Sequence, residues 1–142
     1  MKLHLYYTAA SVLAILFMTL HVTDDIVRNP SGAGQGLFDY VIVVLLLTVW
    51  LYSTLMLAER KWGYILNLIF ALLASAVAVG HMMGEDGSVG QIAASSGPFF
   101  AWVVIALGLA AFSAVIFSTY ELLNQSRLPK QAVTERGAAR RK

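Results

Sequence analysis

Cysteine is absent from the 142 residues. Disulfides, thiolate metal sites and cysteine nucleophiles are therefore excluded. Charge is scarce as well: 13% of residues are Asp, Glu, Lys or Arg, where soluble domains carry about a quarter. Neither a GxSxG nor an HExxH pattern occurs, and Ser95 and Ser96 have no evident base partner. Enzyme chemistry of those kinds has no framework here, and the chain reads as leaning away from catalysis. Three prolines and three histidines complete the list of scarce residues. What remains is apolar, at 58% of the chain, and that balance points to a membrane protein.

Four long apolar runs carry the reading. The first covers residues 4–23, with Thr8, Ser11 and Thr19 as mild polar interruptions whose hydroxyls a helix can satisfy through its own carbonyls. A signal peptide is the rival, with Lys2 as its charged start and Ser31-Gly32-Ala33 as a cleavage site; the run exceeds an ordinary signal core, so a retained span is expected. The second run covers about 37–58, the third about 63–83 and the fourth about 99–123. About 20 apolar residues rising roughly 1.5 Å each cover a hydrocarbon layer of about 30 Å. Asn29 through Gly36 is a turn-rich linker, Glu59-Arg60-Lys61 a short charged connection, and Glu85 through Pro98 a glycine-rich loop. Tyr6, Tyr7, Trp62, Tyr64, Trp102 and Tyr120 suit interfacial belts. Trp50 lies deeper, and Asn67 is the strongly polar residue inside the third run. Ala71, Ala74, Ala78 and Gly80 on that run, and Ala106, Ala110 and Ala114 on the fourth, are small enough for close helix packing. Gly80 and Gly84 form a GxxxG around His81, which predicts tight packing beside that ring.

The expected fold is thus an all-α integral membrane protein, a four-helix transmembrane bundle running up-down-up-down. Residues 1–124 form the membrane domain. Residues 125–142 form a basic cytoplasmic tail, polar and poorly ordered: Arg127 through Lys142 hold six of the ten basic residues and one acid, Glu135. Lys2, Arg60, Lys61 and the tail bases fall on one side, so the positive-inside rule puts both termini in the cytoplasm. Loops 24–36 and 84–98 then face outward, from a bacterial inner membrane in the simplest setting. The expected partners are the lipid bilayer and a second membrane protein or copies of this chain; a nucleic-acid partner is not expected.

Topology brings two clusters to one face. His21-Val22-Thr23-Asp24-Asp25 closes the first run and His81-Met82-Met83-Gly84-Glu85-Asp86 the third. The two histidines stand 60 residues apart, each before acids and a glycine-rich loop, with Leu37-Phe38 and Phe99-Phe100 opening the runs that follow; this suggests a weak internal repeat. His21, Asp24 and Asp25 share a helical face at i, i+3 and i+4, as do His81 and Glu85 at i and i+4. Imidazoles with carboxylates make a candidate site for a divalent ion, zinc, manganese or iron. Two histidines at one depth could alternatively supply both axial ligands of a haem b. His4 belongs to the opposite face. Ionisable residues cluster at the span ends and no mid-span helix break is evident, so a conduction pathway has little support. The leading expectation is a small, non-enzymatic accessory or scaffold subunit of a larger membrane assembly. The alternative is an outward-facing metal- or haem-binding protein built on His21, Asp24, Asp25, His81 and Glu85.

Overall fold

A computed structural model describes residues 2–28, 37–83 and 89–139. Within them the chain forms five helices: α1 (Lys2–Arg28), α2 (Leu37–Leu55), α3 (Lys61–Met83), α4 (Val89–Ser96) and α5 (Pro98–Ala139). Three stretches are long and apolar enough to cross a membrane: Leu3–Arg28, Lys61–Met83 and Pro98–Gln125. Tyr40–Leu55 in α2 is apolar and shorter.

Four boundaries differ from the sequence expectation. Helix α1 continues through Asp24 and Asp25 to Arg28 instead of stopping near residue 23. Helix α2 stops at Leu55 rather than 58, and residues 56–60 make a tight connection held by Arg60 N–H donating to the Leu57 carbonyl (2.9 Å) and Gly63 N–H to the Arg60 carbonyl (2.9 Å). Part of the third loop is the helix α4, whose Ile92 is buried with Ala78, Phe100, Ala101 and Val104. Ile92 anchors the segment to the bundle, and Gln91, Ala93 and Ala94 beside it are good helix formers. The tail, finally, continues α5 to Ala139. Extending an existing helix needs no new nucleus, and Gln131, Ala132, Glu135, Arg136 and Ala138 are favourable residues for it.

Helix α5 packs along both α1 and α3, while α2 lies against α3 and α1 from outside. The interior is built from stripes with alternating spacings of three and four. On α3 the stripe is Tyr64, Asn67, Ala71, Ala74 and Ala78, all buried, and His81 is the next position in it. On α5 it is Phe100, Val104, Leu107, Ala111, Ala114 and Ser118. On α1 it is Tyr7, Ser11, Ala14 and His21. That 3-4 repeat keeps one face of each helix against its neighbour, as in left-handed bundles. Alanines along it let the backbones approach closely. Helices α3 and α5 come close at Gly108, where an added Cβ would lie 3.3 Å from the Ala78 Cβ. Gly80 plays no such part. It is exposed, and an added Cβ there would meet nothing within 4 Å, so the GxxxG expectation fails at this glycine; Gly84 lies outside the described residues.

One polar junction lies inside the bundle. Asn67 is fully buried. Its Oδ1 accepts from Trp50 Nε1–H (2.6 Å) and from the Thr54 hydroxyl (3.2 Å), and its Nδ2 donates to Ser118 Oγ (2.8 Å). One side chain on α3 thereby ties α2 and α5. Trp50 is buried beneath it and stacks on Phe70 at 5.6 Å between centroids, while Tyr52 points outward.

Candidate functional site

Continuation of α1 to Arg28 is what assembles the site. Because the helix does not end at residue 23, His21 and Asp25 stand one turn apart on one face, and so do Asp24 and Arg28. His21 is 4% exposed, and its Nε2 lies 3.4 Å from Asp25 Oδ2. Asp24 turns aside to Arg28 in a two-point ion pair, with Arg28 Nη2 donating to Asp24 Oδ1 at 3.2 Å and Arg28 Nε donating to Oδ2.

His81 enters from α3. Its ring centroid is 5.0 Å from that of His21, with the planes at 76°. The interior stripes of the two helices explain the meeting, since both histidines occupy inward positions at the same end of the bundle. Phe100 from α5 contacts both rings, at 5.3 Å from His21 and 5.4 Å from His81. The Arg28 guanidinium lies over the Phe100 ring, 5.7 Å from its centroid, in cation–π range. Gly97 closes the assembly. It adopts φ +87°, a left-handed conformation that favours glycine after a helix, and Pro98 begins α5 where a missing N–H costs nothing.

The expected residues divide as follows. The structure joins His21, Asp25 and His81, and places Asp24 beside them in the ion pair with Arg28. Glu85 lies outside the described residues. Among the described residues no group of three or more His, Asp or Glu side chains is arranged to hold a metal ion. The sequence reading missed Phe100 and Arg28 as parts of the cluster. The i, i+4 spacing of Asp24 and Arg28 was available as a signal; nothing in the sequence placed Phe100 against two histidines.

His21 has an unusual hydrogen-bond balance. A neutral imidazole carries one N–H and one lone pair. With Nε2 facing the Asp25 carboxylate, the proton belongs on Nε2, and Nδ1 presents the lone pair. Nδ1 is buried and, among the described residues, has no hydrogen-bond partner. Buried polar atoms without partners are uncommon and costly.

A second polar cluster occupies the opposite end. Tyr7 is fully buried, its ring 4.8 Å from that of Tyr64 and 5.9 Å from His4. The Tyr7 hydroxyl and His4 Nε2 also lack partners. The two clusters are separated by the alanine-rich interior, so His4 cannot join the His21 site, as the sequence implied.

Two open spaces among the described residues are apolar. A groove of about 420 Å³ runs between α1 and α5, with Tyr6, Phe17 and Phe117 among its walls and Ala10, Ala106 and Ala110 lining it. A smaller cavity of about 160 Å³ lies between α1, α2 and α3 around Met18, Trp50 and Phe70. Comparison with known protein families, with curated proteins and with solved structures finds no match. What the chain does must therefore be argued from its own geometry.

Proposed function

We propose that this chain is a four-span integral membrane protein that works as a non-enzymatic accessory or scaffold subunit, packing against a helix of a larger membrane assembly or of another copy of itself. The observation that carries the reading is the groove between α1 and α5. Its alanines let another backbone approach, as at helix interfaces in lipid. Its aromatic walls, Tyr6, Phe17 and Phe117, offer large contact areas to side chains that enter. Three helices have the length and apolarity of membrane spans. The 19 residues of α2 reach about 28 Å at roughly 1.5 Å per residue, close to the hydrocarbon thickness. In this reading both termini and the second loop lie inside and the histidine end faces outward from a bacterial inner membrane, supported by the positive-inside rule applied to Lys2, Arg60, Lys61 and the tail bases.

The absence of native cysteine makes the test direct. Single cysteines at Leu13, Leu109 or Ser113, which line the groove, should form crosslinks to a second chain in native membranes. Leu45 and Leu73, exposed on α2 and α3, should not. Equal or absent crosslinking at all five positions overturns the proposal.

A further inference from the structure

We propose that the histidine end of the bundle is a binding site for a borderline divalent cation such as zinc, held by His21 and His81. This goes beyond the scaffold reading and does not depend on it. The first support is the hydrogen-bond balance of His21. Histidines that bind metals almost always donate their other N–H to a carboxylate or carbonyl, which fixes the tautomer and raises ligand basicity. His21 is placed for this arrangement, with Nε2 3.4 Å from Asp25 Oδ2 and, among the described residues, a buried Nδ1 without a partner left to serve a ligand.

The second support is the separation of the rings. With metal–nitrogen bonds of about 2 Å, an imidazole centroid lies about 3.2 Å from the ion, so two imidazoles at the tetrahedral angle have centroids about 5 Å apart. Two imidazoles in trans across one iron would have centroids about 6 Å apart, with a macrocycle between them. The observed 5.0 Å, with Phe100 packed on both rings, matches a neighbouring pair on a bare ion and not the axial pair of a haem. Local charge agrees. Asp24 and Asp25 carry two negative charges against the one positive charge of Arg28, and Arg28 is already paired with Asp24. Phe100 packs on both rings, while His81 is only half-buried and gives the ion access from solvent. With two imidazoles as protein ligands, water completes the coordination, and the ion is exchangeable rather than permanently enclosed.

The test uses the full chain in detergent, stripped with a chelator and titrated with zinc by calorimetry. One zinc per chain is expected. His21→Ala and His81→Gln should each abolish stoichiometric binding. Asp25→Asn should weaken it about 10- to 100-fold, the usual cost of losing the carboxylate behind a ligating histidine. His4→Ala, at the other end, should bind as wild type. Should His21→Ala fail to fold, His81→Gln decides alone, because that half-buried ring can be replaced with little packing change. Absence of zinc binding by wild type, or retention of full affinity in His81→Gln, overturns the proposal. Because the measurement is made on the isolated chain, its outcome is separate from that of the crosslinking experiment.

Discussion

Asn67 offers a quantitative test of what holds the helices in register. Replacing it with Ala deletes the acceptor for Trp50 Nε1 and Thr54 and the donor to Ser118. The losses are unequal. Thr54 retains the Trp50 carbonyl at 2.9 Å as an alternative acceptor, so its hydroxyl stays satisfied. The Trp50 indole N–H has no alternative acceptor among the described residues and becomes a buried, unpaired donor. Interhelical hydrogen bonds in lipid average about 0.6 kcal/mol and reach about 1.7 kcal/mol. Two such bonds plus an orphaned donor costing about 1–3 kcal/mol give a loss of roughly 2–6 kcal/mol for Asn67→Ala. Trp50→Phe removes the donor and keeps the ring stacked on Phe70, so the double-mutant cycle isolates the Trp50–Asn67 bond. Unfolding by denaturing detergent in mixed micelles is the assay. A coupling of about 0.6–1.7 kcal/mol is expected; a coupling indistinguishable from zero would refute the junction as a stabilising contact.

Three further outcomes follow from the backbone geometry and a fourth from the proposed topology. Gly63→Ala places a Cβ against the Leu57 carbonyl in the turn between α2 and α3, and this overpacking should cost about 1–3 kcal/mol in the same assay. Gly80→Ala meets open space, so it should be neutral or stabilising by up to about 1 kcal/mol, the helix-propensity difference. Gly97→Ala forces an alanine to φ +87°, with an expected loss of about 1–2 kcal/mol. In the chain without native cysteine, single cysteines at Ser31 and Ser88 should react with an impermeant maleimide added outside intact cells, while one at Arg60 reacts after lysis; the reverse pattern overturns the topology.

The apolar runs and the juxtaposition of His21 with His81 could both be read from the sequence, because length, hydropathy and direction of travel are enough to place them; of the aromatics expected in interfacial belts, Tyr7 and Tyr64 are instead buried in the bundle. The boundaries were less legible. Asp24 and Asp25 look like the end of a span, yet they are compatible with a helix that continues, and Arg28 supplies an i, i+4 partner that favours continuation. The GxxxG at Gly80 misled for a different reason. A small residue permits close approach but does not choose the face, and the inward stripe of α3 passes through Ala78 and His81 instead. Asn67 was recognised as deep and polar, but its partners Trp50, Thr54 and Ser118 lie on two other helices, and only the packing identifies them. Phe100 illustrates the same limit at the histidine site.

The two polar groups on α3 have different consequences for the whole bundle. Between Asn67 and His81 the inward stripe is Ala71, Ala74 and Ala78. An alanine stripe packs well but discriminates poorly between registers, since a slip of one turn, about 5.4 Å, presents another small residue to the same neighbour. Such a slip would separate Asn67 from Ser118 and His81 from His21 at once. A buried polar residue that fixes register at some cost in stability is a known device in helical assemblies. The junction at Asn67 therefore holds the two histidine rings in position from about 21 Å away, fourteen residues along one helix at roughly 1.5 Å each. Asn67→Leu, which fills the space without supplying hydrogen bonds, should accordingly lower zinc affinity at the far end although it touches neither histidine. Unchanged affinity in a folded Asn67→Leu protein would show that the alanine stripes and Phe100 set the register unaided.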